Sequence, residues 1–244
     1  MSDVETFSDL YDLIGNCYDT TRKASSNYEV GQIVFVPVIE HGRRLLIADV
    51  ARSDPTSHTD VTLSIRHPNG NDFRGKGKRL PVKLLNLDEN HEAVLSRAKL
   101  RPCLIIGKHG GVKPHTLPEG QQRNKATNAF PEVYLLSPIY STSTPQKPTS
   151  FGPVLTARIR CLMYPNFVYL PRSGGILSQS GVLRLDHLFF SGLEHDVQPQ
   201  NLFVSEHVLA ICHDQLKLLC GFQCSDEYLD ARKLLLDELP ETYK

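Results

Sequence analysis

Ser180-Gly181-Val182-Leu183-Arg184-Leu185-Asp186-His187 is the stretch that decides the fold. Val182, Leu183 and Leu185 are strand formers, and nothing before Gly192 breaks the run. On a strand alternate side chains share a face, so Arg184 and Asp186 point the same way with Val182. Leu183, Leu185 and His187 take the other face, which makes His187 a structural or interface residue. A cation and a carboxylate side by side among apolar neighbours fit a structural ion pair. They fit equally a base and an anion-stabilising group over a phosphate. Both readings stay open at this point.

Working outward, residues 132–141 read as a strand, 154–163 as a continuation of the sheet, and 166–171 as its neighbour. Arg101 to Gly107 is a short buried strand entered through Pro102. Tyr28 to Val38 is β-branched and buried on both faces. Arg43–Arg52, Thr59–His67 and Arg79–Asn86 read as further strands, and Asp88–Ala98 as a short helix. Val204–Cys220 is a helix behind Ser205, and Ser225–Leu239 is a second behind its own cap. Phe7, Leu10, Tyr11, Leu13 and Ile14 give an opening helix ended by Gly15. The expectation is a mainly β, α+β fold: a small, strongly curved, barrel-like sheet with helices packed on one side.

The 244 residues suffice for one elaborated domain or two small ones, and the formal net charge is zero. The charge is uneven. Acidic residues crowd both ends, whereas the middle carries Arg66, Arg74, Lys76, Lys78, Arg79, Lys83, Arg97, Lys99, Arg101 and Lys108, which permits a basic face. No run is long and apolar enough to span a bilayer, and no secretory pattern opens the chain. The six cysteines lie scattered, several inside apolar runs. Reduced, buried thiols in a cytoplasmic protein are expected.

Three decoys fall away on chemistry. Gly70 to Lys76 has P-loop spacing, but Gly77 stands where Ser or Thr must hold magnesium. His109 and His115 share a basic loop without a carboxylate or cysteine, so no metal is expected there. Cys212, His213, Cys220 and Cys224 lack zinc-ribbon spacing. No cofactor is expected.

Four of these stretches, in this order, resemble the MazF/PemK toxin family, including its Kid branch. Gly31-Gln32-Ile33-Val34-Phe35-Val36 is similar to the family's opening Gly-Asp/Glu-Ile/Val strand. Arg101-Pro102-Cys103-Leu104-Ile105-Ile106 is similar to its Arg-Pro-Ala/Val-Leu-Val-Ile strand, and Ser137-Pro138-Ile139-Tyr140-Ser141 to its Pro-Ile/Val-Thr-Ser stretch. Gly181-Val182-Leu183-Arg184-Leu185-Asp186-His187 resembles the Kid branch's Gly-Val-Val-Arg-Cys-Asp-Gln. The resemblance covers roughly 28–40 and 97–221. It implies an SH3-like barrel over 29–221 with an insertion near 41–96, an N-terminal helical extension over 1–28 and an extra C-terminal helix over 222–244.

The resemblance also implies chemistry: a toxin-type endoribonuclease that cuts single-stranded RNA by metal-independent 2′-hydroxyl transesterification. Asp186 would be the general base, and Arg184 would stabilise the phosphorane-like transition state. Arginine surrenders protons reluctantly, so electrostatic stabilisation suits it better than acid catalysis. Arg101 and Ser141 match RNA-contacting positions. Tyr140 replaces the family's threonine and could stack a base. His41, just beyond the first strand, is the candidate for the histidine that a family loop supplies. RNA, a cognate antitoxin and a second copy of the chain are the implied partners. Two alternatives stand beside this: a non-catalytic SH3-like interaction domain, motivated by the insertion, Tyr140 and the rebuilt histidine loop, and a gyrase-targeting toxin of the same fold.

Overall fold

The computed structural model describes residues 7–25, 27–40, 45–51, 54, 61–73, 91–110, 132–143, 151–193 and 200–244. The chain divides into two compact units, one formed by Met1–Val36 with Leu100–Lys244 and the other by Pro37–Lys99. The segment 41–96 falls inside the second. The fold is α+β with antiparallel sheets, and no helix among the described residues is long and apolar enough to cross a membrane.

In the first unit, α1 (Leu10–Ile14) starts at a capping box between Asp9 and Asp12 and stops at Gly15, whose φ is 73°. β1 (Tyr18–Asp19) pairs with β11 (Phe203–Val204). The main sheet runs β2 (Ile33–Ile39), β6 (Ala98–His109), β7 (Val133–Ser141), β9 (Gly181–Arg184), β8 (Phe167–Leu170), and β10 (Phe189–Ser191) also pairs with β7. Among the described residues these strands do not close into a ring. One face packs on α3 (Glu206–Leu219), where Ile33, Leu104, Ile139, Leu183, Leu185, Val208 and Cys212 share a core. Ser205 caps α3 by accepting from the Val208 N–H. Ser225 caps α4 (Asp226–Glu238), and buried Asp214 ties the two helices by accepting from the Ser225 N–H and Oγ. α4 and α1 enclose a second core with Leu10, Cys161, Leu162, Tyr228 and Leu235.

In the second unit, β3 (Leu46–Ala51) lies between β4 (Thr62–Arg66) and β5 (Val94–Leu95). Arg66 holds Asp49 across the hairpin and also Asp72 in the following turn.

Two expectations are corrected. Residues 154–163 do not continue the sheet: Pro153–Arg160 is a helix, α2. Pro153 occupies its first turn, where a missing N–H costs nothing, and tertiary burial of Ala157 and Ile159 overrides the β-branched composition. The described part of Asp88–Ala98 is not helical either, because Val94 and Leu95 pair with Ile47 and Leu46 at a sheet edge. The expected strand Arg79–Asn86 lies outside the described residues. All six cysteines are free thiols and, Cys220 apart, buried.

Candidate functional site

The site is built where β9 stops being a strand. β9 pairs with β7 through Ile139↔Leu183, Tyr140↔Val182 and Ser141↔Gly181. The next β7 residue in that register is Pro138, which has no N–H to give. Buried Ser137 supplies the missing donor from its hydroxyl, 2.9 Å from the Arg184 carbonyl. On the other side Leu185 N–H still donates to the Asn166 carbonyl at 2.9 Å. Released from β7 but held by β8, the chain turns through a 3₁₀ helix at Leu185–His187, with Leu185 anchored in the core. Gly181 permits the approach that precedes the turn. A Cβ there would stand 2.6 Å from Ile139 Cγ2 and 3.2 Å from the Tyr140 carbonyl oxygen.

The turn corrects the expected geometry. A strand would send His187 away from Arg184, but side chains three apart in a 3₁₀ turn come together. Arg184 Nη2 lies 3.0 Å from His187 Nε2, and His187 Nδ1 lies 3.2 Å from Tyr140 Oη. Asp186 grips the same guanidinium bidentately, with Nε to Oδ1 at 2.7 Å and Nη2 to Oδ2 at 2.6 Å. Asn166 Nδ2 stands at the carboxylate's edge, 3.5 Å from Oδ2. The Arg184 and Asp186 side chains keep 23% and 33% of their surface, so a phosphate can reach the pair.

Aromatic faces complete the cluster. The Arg101 guanidinium lies 4.4 Å from the Tyr140 ring centre, and Arg184 lies 5.0 Å from that of Phe167 and 5.8 Å from that of Tyr140. Tyr140 and His187 meet edge to face at 5.8 Å. β6, β7 and β9 are neighbours in the sheet, which is why Arg101, Tyr140 and Arg184 converge.

The electrostatics favour an anion. Burial pushes the Asp186 carboxyl up, but hydrogen bonds and charge from Arg184 outweigh it and hold the group below its ordinary 3.8. The same hydrogen bonds, working against burial, raise Arg184. Burial raises the Tyr140 phenol despite the two guanidiniums beside it. Asp186 neutralises Arg184 alone, and Arg101, stacked on Tyr140 beside the pair, leaves a surplus positive charge that suits a phosphate.

Of the sequence-derived candidates, the structure brings Arg101, Tyr140, Arg184 and Asp186 together. Ser141 ends β7 opposite Gly181, exposed, where strand alternation directs its side chain to the face opposite the Tyr140 ring. His41 lies outside the described residues. His187, Phe167 and Asn166 were not legible as site residues, since only the register against Pro138 and the resulting turn bring them in. Among the described residues no three His, Cys, Asp or Glu side chains gather to hold a metal. A cleft of about 270 Å³ lined by Tyr11, Asn16, Cys17, Tyr18 and Arg172 lies elsewhere in the first unit. Its Cys17 thiol is pushed by burial to about 11, which leaves it a poor nucleophile. Compared with protein-family models, with curated proteins and with solved structures, the chain finds no match. The chemistry of the cluster therefore rests on its own geometry.

Proposed function

We propose that the chain is a metal-independent endoribonuclease of toxin type, and that its first unit is an elaborated SH3-like barrel of the MazF/PemK kind. One observation carries the reading: a partly exposed arginine fork, locked by a carboxylate, stands beside an imidazole and a second arginine stacked on a tyrosine. A phosphodiester needs little more for transesterification. Arg184 stabilises the charge that develops on the phosphorane, Arg101 meets a neighbouring phosphate or base, and Tyr140 offers a stacking surface. Single-stranded RNA is the substrate because the 2′-hydroxyl must swing into line with the departing oxygen. A homodimer and an acidic antitoxin segment over the Arg101 and Arg184 cluster belong to the same proposal.

A second reading has its own support. Arg184 and Asp186 saturate each other, as a purely structural pair would, and this favours a non-catalytic interaction domain. Cleavage of a long unstructured RNA in EDTA separates the two. The nuclease reading expects 2′,3′-cyclic phosphate ends, with Arg184→Ala folded and inert. A wild-type protein that binds partners but cuts nothing supports the interaction domain.

A further inference from the structure

We propose that His187, rather than Asp186, is the general base that activates the 2′-hydroxyl, and that Asp186 is a positioning residue for the Arg184 fork. The inference rests on the nuclease reading and assigns its proton transfer. It begins with hydrogen-bond polarity. A guanidinium has five donors and no acceptor. Its approach to His187 Nε2 at 3.0 Å therefore requires a lone pair on that nitrogen. The ring is then neutral with its proton on Nδ1, and Nδ1–H donates to Tyr140 Oη at 3.2 Å. Tyr140 fixes the tautomer, and Arg184 marks where the basic nitrogen points.

Asp186 is poorly placed for the same task. Both of its oxygens are occupied by Arg184, at 2.7 and 2.6 Å. Freeing one would loosen the fork at the moment it has to hold a phosphate. Its carboxyl, held below the ordinary range, is also a weaker base than a neutral imidazole. His187 has the opposite logic. Phosphate oxygens accept from the same Nη2 that now faces Nε2, so substrate binding draws the donor away and leaves the lone pair beside the sugar. Nε2 then takes the 2′-hydroxyl proton, O2′ bonds to phosphorus, and the P–O5′ bond breaks with its electron pair on O5′. Water protonates O5′, and the imidazolium returns its proton to the hydroxide left behind.

Among the described residues, charged and titratable groups face His187 from three directions. Arg184 and Asp186 come from its own segment, Tyr140 from β7 with Arg101 behind it, and β8 presents the apolar Phe167 beside Arg184. α3 meets the core side of the turn through Leu185, in a cluster whose Cys212 thiol burial keeps protonated.

The test follows single-turnover cleavage of an unstructured RNA in EDTA across about pH 4.5 to 8, with histidine-ring nitrogen NMR on the full chain. The His187 signals are assigned by their loss in His187→Gln. The neutral Nδ1–H tautomer is expected, and the wild-type rate should rise with the same midpoint as the ring. Asp186→Asn keeps that midpoint while the rate falls about tenfold or more. His187→Gln retains acceptor and donor toward Arg184 and Tyr140, so it folds and binds RNA, yet cuts about 10²-fold or more slowly without the rise. A rate that is level across that pH range, lost in Asp186→Asn and kept in His187→Gln, overturns the assignment. An Nε2–H tautomer overturns it as well, whatever the RNA result. A wild-type protein that cuts no RNA at any pH removes the nuclease reading and this assignment together.

Discussion

Arg66 and Arg184 are each gripped bidentately by an aspartate, and they stand in opposite surroundings. Arg66, in the Pro37–Lys99 unit, stands between Asp49 and Asp72 and spends four hydrogen bonds on them. Asp72 also accepts from the Asn69 N–H at 2.6 Å, and its side chain is only 1% exposed. That cluster has more negative than positive charge, and its partners are hairpin and turn, so it fastens local structure. Arg184 has one carboxylate, Asp186, faces an imidazole and lies among aromatic rings, and a second cation, Arg101, stacks on the Tyr140 ring it neighbours. An arginine–aspartate pair alone is thus uninformative. The charge left over after pairing, and what the arginine's unused surface meets, separate a fastener from an anion site.

The contrast breaks most visibly if each arginine is removed. Arg184→Ala should lower cleavage by about 10² to 10³-fold, the loss of one preorganised donor, with little change in melting. Arg66→Ala should do the reverse. It takes the cation away from the Asp72 carboxylate and should loosen the Pro37–Lys99 unit, read by hydrogen exchange of β3 and β4, with cleavage at saturating RNA within about twofold of wild type. Similar activity losses in both variants would erase the distinction.

Gly181→Ala sharpens it next. The new methyl meets Ile139 and the Tyr140 backbone, so strain of about 1–3 kcal/mol should appear in denaturant unfolding. Cleavage should fall further than that loss of stability explains, because Tyr140 moves with the strand. Arg101→Ala should raise KM about tenfold and leave kcat within about threefold, since a stacked contact of this kind is worth roughly 1–3 kcal/mol in binding.

The smallest effect lies at the α3–α4 junction. Burial raises the Asp214 carboxyl, but Lys217 and Ser225 outweigh it, and the group titrates below its ordinary 3.8. A depressed carboxyl stabilises the fold above its unfolded value and loses that contribution as pH falls through the folded one. Wild-type stability should therefore decline below about pH 4, and Asp214→Asn should flatten that decline in melting curves while leaving cleavage unchanged.

Much of the architecture is legible in the residues. Ser205 and Ser225 announce α3 and α4, Gly15 ends α1, and residues 132–141 form a strand almost to the expected bounds. α2 was not legible, because Val154, Thr156 and Ile159 argue for a strand and only packing reverses them. The Arg184/Asp186 pairing followed from i,i+2 alternation, yet it is realised by a turn. His187 lay hidden because its position depends on Pro138 standing opposite Arg184, a register that no local pattern encodes.

The most direct measurement of the central claim replaces a single atom of substrate. An RNA is cut in EDTA, the cut position is mapped, and the same strand is remade with a 2′-deoxynucleotide on the 5′ side of that bond. The account predicts that the all-ribose strand yields a 2′,3′-cyclic phosphate and that the substituted bond survives intact. Cleavage of the deoxy-substituted bond at a comparable rate would contradict it.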